Sequence, residues 1–277
     1  MSGAPPATRT VLTTGANSGI GLETVLEVAR RGFGSVGSVR TPAKARVVRE
    51  AARRLGLDVR TVMLDVTDPA ACEAVAARLH PWAIVNNAGY GAVGAIEDVE
   101  DDEAHQVFET MVFAPMRLAR AALPHMRAQG GGRIVNVSSI YGVATTPLSG
   151  WYQGAKHALE ALSDALRIEV ARDGVKVILV EPGGFRTGIW DHASGELEAR
   201  EGSRYRTAYD RTQLGTRLAM PFMGDPKSVA RVIGGALAAR SPRPRYLVGM
   251  DAQAVALWHS VVPTQLRDRL YRVGLGL

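Results

Sequence analysis

Two groups of residues have the types and spacing to do chemistry: the run Gly15-Ala-Asn17-Ser18-Gly19-Ile20-Gly21 and the pair Tyr152 and Lys156. The run is a Gly-x3-Gly-x-Gly pattern between an apolar β-rich segment and a helical pattern. Glycine lets the backbone turn tightly and approach a diphosphate, whose charge a helix N-terminus favours. The next β-rich run ends Val39-Arg40-Thr41, and no carboxylate stands between Phe33 and Thr41 to accept from a ribose 2′-hydroxyl. Arg40 with Ser18 suits a 2′-phosphate, so the expected cofactor is NADP(H). Further along, Leu64-Asp65-Val66 ends a third run, and Asp65 is placed to accept from an adenine amino group. Tyr152 and Lys156 are four residues apart, on one face of a helix. An ammonium beside a phenol favours the phenolate and lowers a pKa that is ordinarily about 10.

These residues need elements to hold them. Short β-rich runs occur at 10–14, 36–39, 59–64, 83–86, 133–137 and 175–180, with amphipathic stretches such as 20–31 and 69–79 between them. Strand and helix alternating at this rhythm predict an α/β fold of Rossmann type, a doubly wound parallel sheet with ligands at the carboxyl ends of its strands. Residues 184–225 show weak periodicity and many Gly, Arg and Thr, as expected of a substrate lid. A helix is predicted from Asp225-Pro226 to Ala239, then a short strand at 246–248 and an amphipathic tail over 252–277. The expectation is one domain over 8–277, with 1–7 a disordered leader.

The chain has 277 residues, 33 Lys and Arg against 27 Asp and Glu, and one cysteine. One cysteine excludes a disulfide framework and a cysteine-built zinc site. The six histidines lack metal-ligand spacing, so no metal is expected. The basic residues are dispersed among glutamates, which argues against nucleic acid as a partner. No apolar run reaches about 18 residues, so no integral membrane segment is predicted, and the start lacks the blocks of a signal peptide. The expected setting is the cytoplasm. Only four basic residues are lysines, and Lys156 is one of them.

Asn86-Asn87-Ala88-Gly89, Asn136-Val-Ser138-Ser139, Tyr152-Gln-Gly-Ala-Lys156, Pro182-Gly183 and Thr187 follow the glycine loop in order. Together they resemble the short-chain dehydrogenase/reductase family over residues 8 to about 250. Asp225-Pro226 and Arg245-Tyr-Leu-Val-Gly249 look like its hydroxysteroid-dehydrogenase-like branch. The resemblance implies Tyr152 as general acid/base, Lys156 as its partner and Ser139 as the hydroxyl orienting the substrate oxygen. It further implies cofactor contacts at Gly15, Asn17, Ser18, Gly19, Ile20, Gly21, Arg40, Asp65, Val66, Asn87, Ala88, Gly89, Tyr152, Lys156, Pro182, Gly183, Phe185 and Thr187. Of the two adjacent serines, Ser139 is assigned because Ser138 points to the opposite strand face. A homodimer or homotetramer is implied as well.

One position departs from the family pattern. Met111 stands where members usually carry an asparagine in a proton relay, and a thioether is a poor hydrogen-bond partner. The leading expectation is an NADPH-dependent reductase, or the reverse dehydrogenase, interconverting a lipophilic ketone and a secondary alcohol. Met111 motivates the alternative, a non-redox cyclisation or isomerisation on the same fold. An NADP(H)-sensing protein without catalysis is a third reading. Trp190, Tyr205, Tyr209, Met220, Phe222 and Met223 in the lid, with Trp151 beside Tyr152, suit a bulky apolar small molecule.

Overall fold

Runs of valine, isoleucine and leucine form central strands that are buried on both sides of a seven-stranded, wholly parallel sheet. The strands are β1 Thr10–Thr13, β2 Gly34–Val39, β3 Val59–Met63, β4 Ala83–Asn86, β5 Gly132–Val137, β6 Val175–Pro182 and β7 Arg245–Val248. Their order is β3-β2-β1-β4-β5-β6-β7. The computed structural model describes residues 9–188, 200 and 202–277. The predicted leader, Trp190 and part of the 184–225 segment lie outside the described residues.

Helices α1 (Gly19–Arg30) and α2 (Pro42–Arg54) pack on one face, joined by α8 (Pro226–Ala238). Helices α3 (Pro69–Leu79) and α5 (Ala114–Ala128) pack on the other, where Cys72, Val75, Leu118 and Met126 meet Leu12, Ile84 and Ile134. Helix α4 (Asp101–Phe108) runs through a π-type turn, Glu109–Phe113, into α5. The long helix α6 spans Gly150–Glu169. Three helices start on one local device, a side-chain acceptor followed by proline. Thr41 accepts from Lys44 N, Asp68 from Ala71 N and Asp225 from Lys227 N, ahead of Pro42, Pro69 and Pro226. Each satisfies a donor that a helix start leaves open, and proline at the first position has no N–H to satisfy.

The structure adds detail to two segments. Within 184–225, Arg206–Ala219 forms α7. Gly215 and scattered arginines and threonines dilute its apolar period. The tail is two helices, α9 (Met250–Val261) and α10 (Thr264–Leu275), because Pro263 interrupts the helix. The sheet reverses its direction of winding between β1 and β4, so a crevice opens at their carboxyl ends.

Candidate active site

The glycine run turns at the end of β1 against the end of β4. Gly15 and Gly19 have φ of +65° and +51°, a region costly for any residue with a Cβ. A Cβ on Gly21 would lie 2.2 Å from the Gly15 carbonyl oxygen, so α1 can approach its own loop only with glycine there. Ser18 precedes α1 but makes no side-chain cap, and no acid occupies the first turn. The helix start therefore presents backbone N–H groups suited to an anion. Asn17 and Ile20 are half-buried within this turn.

Thr14 and Asn87 hold the turn in place. Asn87 Nδ2 donates to the Thr14 carbonyl (2.9 Å), while the Asn87 and Ala88 amides donate to Thr14 Oγ1 at 3.0 and 2.9 Å. Asn87 was expected against the cofactor, yet its amide nitrogen is engaged in fixing the loop. Gly89 is exposed beside it. Thr14 was missed because a threonine ending a strand carries no distinctive pattern. Ala16 N donates to the Ser38 carbonyl, drawing the end of β2 and the exposed Arg40 toward the loop.

Asp65 does not cap α3; Asp68 does. Thr67 donates to one Asp65 oxygen from both its amide (3.0 Å) and its hydroxyl (2.8 Å). These bonds, with a smaller pull from the Arg40 charge, hold the Asp65 carboxyl below its usual range. Val66 is buried, and its carbonyl accepts from Arg117 (3.2 Å). On the other side of the crevice, Gly183 N donates to the Val248 carbonyl and Thr187 lies against the position a Cβ on Gly19 would take. Pro182 is buried at the end of β6. The Phe185 ring is buried in the core with Val180 and Val248, against Gly224.

Ser139 follows the end of β5 and Tyr152 lies in the first turn of α6, where the Ser139 hydroxyl acts on the Tyr152 phenol. Ser139 Oγ also accepts from Tyr141 N (3.1 Å). The buried Ser138 hydroxyl lies instead on the side of Gly142 and Glu160, consistent with alternation along the strand. Lys156 is buried, donates to the Val137 carbonyl (2.9 Å) and sits 5.7 Å from the Tyr152 ring centre. Burial pushes the Tyr152 phenol up to about 12, with the Ser139 hydrogen bond pulling it back. Burial also brings Lys156 down to about 8, opposed by the charge of Glu160.

Glu160, one turn beyond Lys156, belongs to a cluster not foreseen from sequence. Arg245 of β7 bonds Glu160, Glu181 (2.7 Å) and Asp164 (2.6 Å), and both glutamates are buried. Met111 is buried in the π-type turn, close to Gly89 and in one apolar cluster with Ala155 and Tyr152. Asn136 lies deeper, bridging Asn86 (2.8 Å) and Ser163 (2.7 Å). The lid tyrosines turn away from a substrate role: Tyr205 donates to Glu97 and Tyr209 to Asp98, pinning α7 to the loop after β4. Trp151 packs edge-on against Phe108, and Phe222 is exposed.

The family described as short chain dehydrogenase matches residues 9–197. The chain is 34% identical to the oxidoreductase YusZ of Bacillus subtilis, over 91% of this chain and 93% of that protein. It is 28% identical to an NADPH-dependent 3-dehydrocapnine reductase of Ornithobacterium rhinotracheale, covering 95% and 96% respectively. A short-chain dehydrogenase of Streptomyces avermitilis has a similar crystal structure, with a TM-score of 0.79, 31% identity and 96% of each chain covered.

Proposed function

The chain belongs to the short-chain dehydrogenase family, and from that membership we propose an NADP(H)-dependent oxidoreductase interconverting a lipophilic ketone and its secondary alcohol. The observation that carries this reading is the buried Lys156, whose ammonium lies 5.7 Å from the Tyr152 ring centre and donates to the Val137 carbonyl two residues before Ser139. The fit to the cofactor rests on the cradle. A Cβ on Gly21 would collide with the Gly15 carbonyl, α1 begins without a side-chain cap, and Arg40 ends β2 with no carboxylate nearby in that strand. Gly15 to Gly21 would hold the diphosphate, Arg40 and Ser18 the 2′-phosphate, and Asp65 and Val66 the adenine side. Asn87, Ala88 and Gly89 would flank the ribose, with Pro182, Gly183, Thr187 and the Phe185 backbone at the nicotinamide end.

When bound, NADP(H) would supply or accept a hydride at the carbonyl carbon, which is the electron pair and one hydrogen of the carbonyl–alcohol exchange. Ser139 Oγ holds the substrate oxygen, and Tyr152 Oη gives it a proton in reduction or takes one in oxidation. Lys156 keeps a positive charge beside the phenol, offsetting the negative charge that develops there as the proton leaves. The apolar cluster around Met111 excludes water from this side. Phe113, Leu162 and Ile168 are exposed on the π-type turn and α6, which supports a homodimer or homotetramer.

The test measures NADPH consumption on a panel of lipophilic ketones, in the wild type and in Tyr152→Phe. The expected loss in the variant is roughly 10²–10⁴-fold, with NADPH binding retained. Product formed without net cofactor turnover would replace this reading with the cyclisation or isomerisation that Met111 suggests. Binding without product across the panel would replace it with a sensing role.

A further inference from the structure

Lys156, Glu160 and Asp164 stand at i, i+4 and i+8 of α6, which places all three on one helix face. Lys156 and Glu160 are buried, whereas the Asp164 side chain is 38% exposed. The face therefore leads from the interior, beside Tyr152, to the surface. At its outer end Arg245 of β7 bonds Glu160 Oε2, Glu181 (2.7 Å) and Asp164 (2.6 Å), and Arg167 pairs with Asp164. Three carboxylates thus meet two guanidinium groups, and the ammonium of Lys156 balances the remaining negative charge. That ammonium has three N–H donors, and the Val137 carbonyl that accepts one of them is neutral.

The other Glu160 oxygen, Oε1, is not bonded to Arg245. It lies 3.0 Å from the place a Cβ on Gly142 would take, and Ser138 Oγ lies 2.7 Å from the same place. Both oxygens are buried, and neither has a hydrogen-bond partner among the described residues. Buried polar atoms left unpaired are costly. Two oxygens this near one point are joined by a single water, which spans about 5.5 Å from one partner to the other. Ser138 directly follows Val137, so the ammonium and these two oxygens surround one small polar space. Three such partners are what a buried water ordinarily has. The flank of Tyr152 at Met111, Val107 and Ala155 is apolar and offers no comparable group.

We propose that Ser138 and Glu160 bind a water behind Lys156, and that this water and Glu160 carry protons between Lys156 and solvent at Asp164 and Arg245. The inference deepens the proposed function and rests on that reading for the reaction it serves. In reduction the Tyr152 O–H breaks as the substrate O–H forms, so one proton has to enter from solvent. An N–H bond of Lys156 breaks as the Tyr152 O–H is remade, and an O–H bond of the water breaks as that N–H is restored. The water recovers its proton from Glu160, which has taken one from solvent. Every bond broken is matched by one formed, and oxidation runs the sequence backwards. Arg245 holds Glu160 in place through Oε2 and leaves Oε1 for the transfer. Glu160 and Ser138 act through Lys156 rather than on the substrate.

The experiment reads the ammonium itself. The chain has only four lysines, so isotopic labelling of lysine nitrogen gives a simple spectrum in which Lys156 is assigned by its loss in Lys156→Arg. On the full chain saturated with NADPH, exchange of the Lys156 Nζ protons with water is measured in the wild type, Ser138→Ala and Glu160→Gln. Exchange should be about tenfold slower in each variant. Urea melts report whether the variants fold, and Ser138→Ala, which removes one uncharged atom, decides the matter if Glu160→Gln does not. In Ser138→Ala the solvent deuterium isotope effect on kcat for ketone reduction should also rise, to about twice that of the wild type. Exchange as fast as in the wild type in Ser138→Ala overturns the proposal, whatever stability is lost. Slow exchange with an unchanged isotope effect overturns it too, because the route then has no part in turnover. Exchange is read without substrate, so a wild type that reduces no ketone overturns the reductase reading and leaves the proton route to the exchange rates. Tyr152-dependent turnover with unchanged exchange overturns this inference alone.

Discussion

Burial lowers the pKa of Lys156, and the proposed site should take its working pH range from that. Its ammonium is present below about 8 and is lost as pH rises through that value. Tyr152, held up at about 12, stays protonated across the same range. Ketone reduction is therefore expected to hold its kcat/KM near neutrality and fall above about pH 8, as a pH–rate profile would record. Glu160→Gln removes negative charge that supports the ammonium, so the falling limb should move to lower pH. An unmoved limb would mean that Lys156 does not set it. Met111→Asn puts an amide into an apolar cluster; a loss of about 1–3 kcal/mol in stability is expected, with kcat within a few-fold. A tenfold gain in kcat would show instead that the missing asparagine limits catalysis. Ser139, Tyr152 and Lys156 stood out in the sequence through the ordered motifs that resemble the family's, since a Tyr-x-x-x-Lys pair alone is common on helices. Glu160 did not: among many carboxylates, its meaning depends on Arg245, 85 positions away.

At the scale of elements, β7 is held to the sheet by a cation among three carboxylates. Arg245→Met would leave Glu160 and Glu181 buried without it, at a cost of about 3 kcal/mol. Burial and the neighbouring Glu160 charge already raise the Glu181 pKa, so this carboxyl protonates readily as pH falls. Urea midpoints should therefore show a smaller deficit for the variant at about pH 5 than at neutrality. An equal deficit at both would assign the loss to packing. The strands were legible to within two residues, because β-branched runs bounded by turns have few other uses. Helix α7 was not, since Gly215 and polar residues hide its period and its anchors, Glu97 and Asp98, are distant in sequence.

For the whole molecule, the proposed homodimer or homotetramer should depend on the apolar surface of α6. Leu162→Asp with Ile168→Asp is expected to shift sedimentation toward monomer. The tail also has a consequence for ligand binding. The Asp251 carboxylate fills the space where a Cβ on Gly183 or on Gly249 would stand, at 2.2 and 2.3 Å. Alanine at either glycine would expel it, freeing α9 at the end that meets the nicotinamide-side turn. The turn and the helix thus share one energetic account, and thermodynamic reciprocity applies to whatever each binds. If a contact made by α9 changes NADPH affinity by some factor, NADPH must change the affinity of that contact by the same factor. Measuring either dissociation constant with and without the other partner then gives the coupling in both directions.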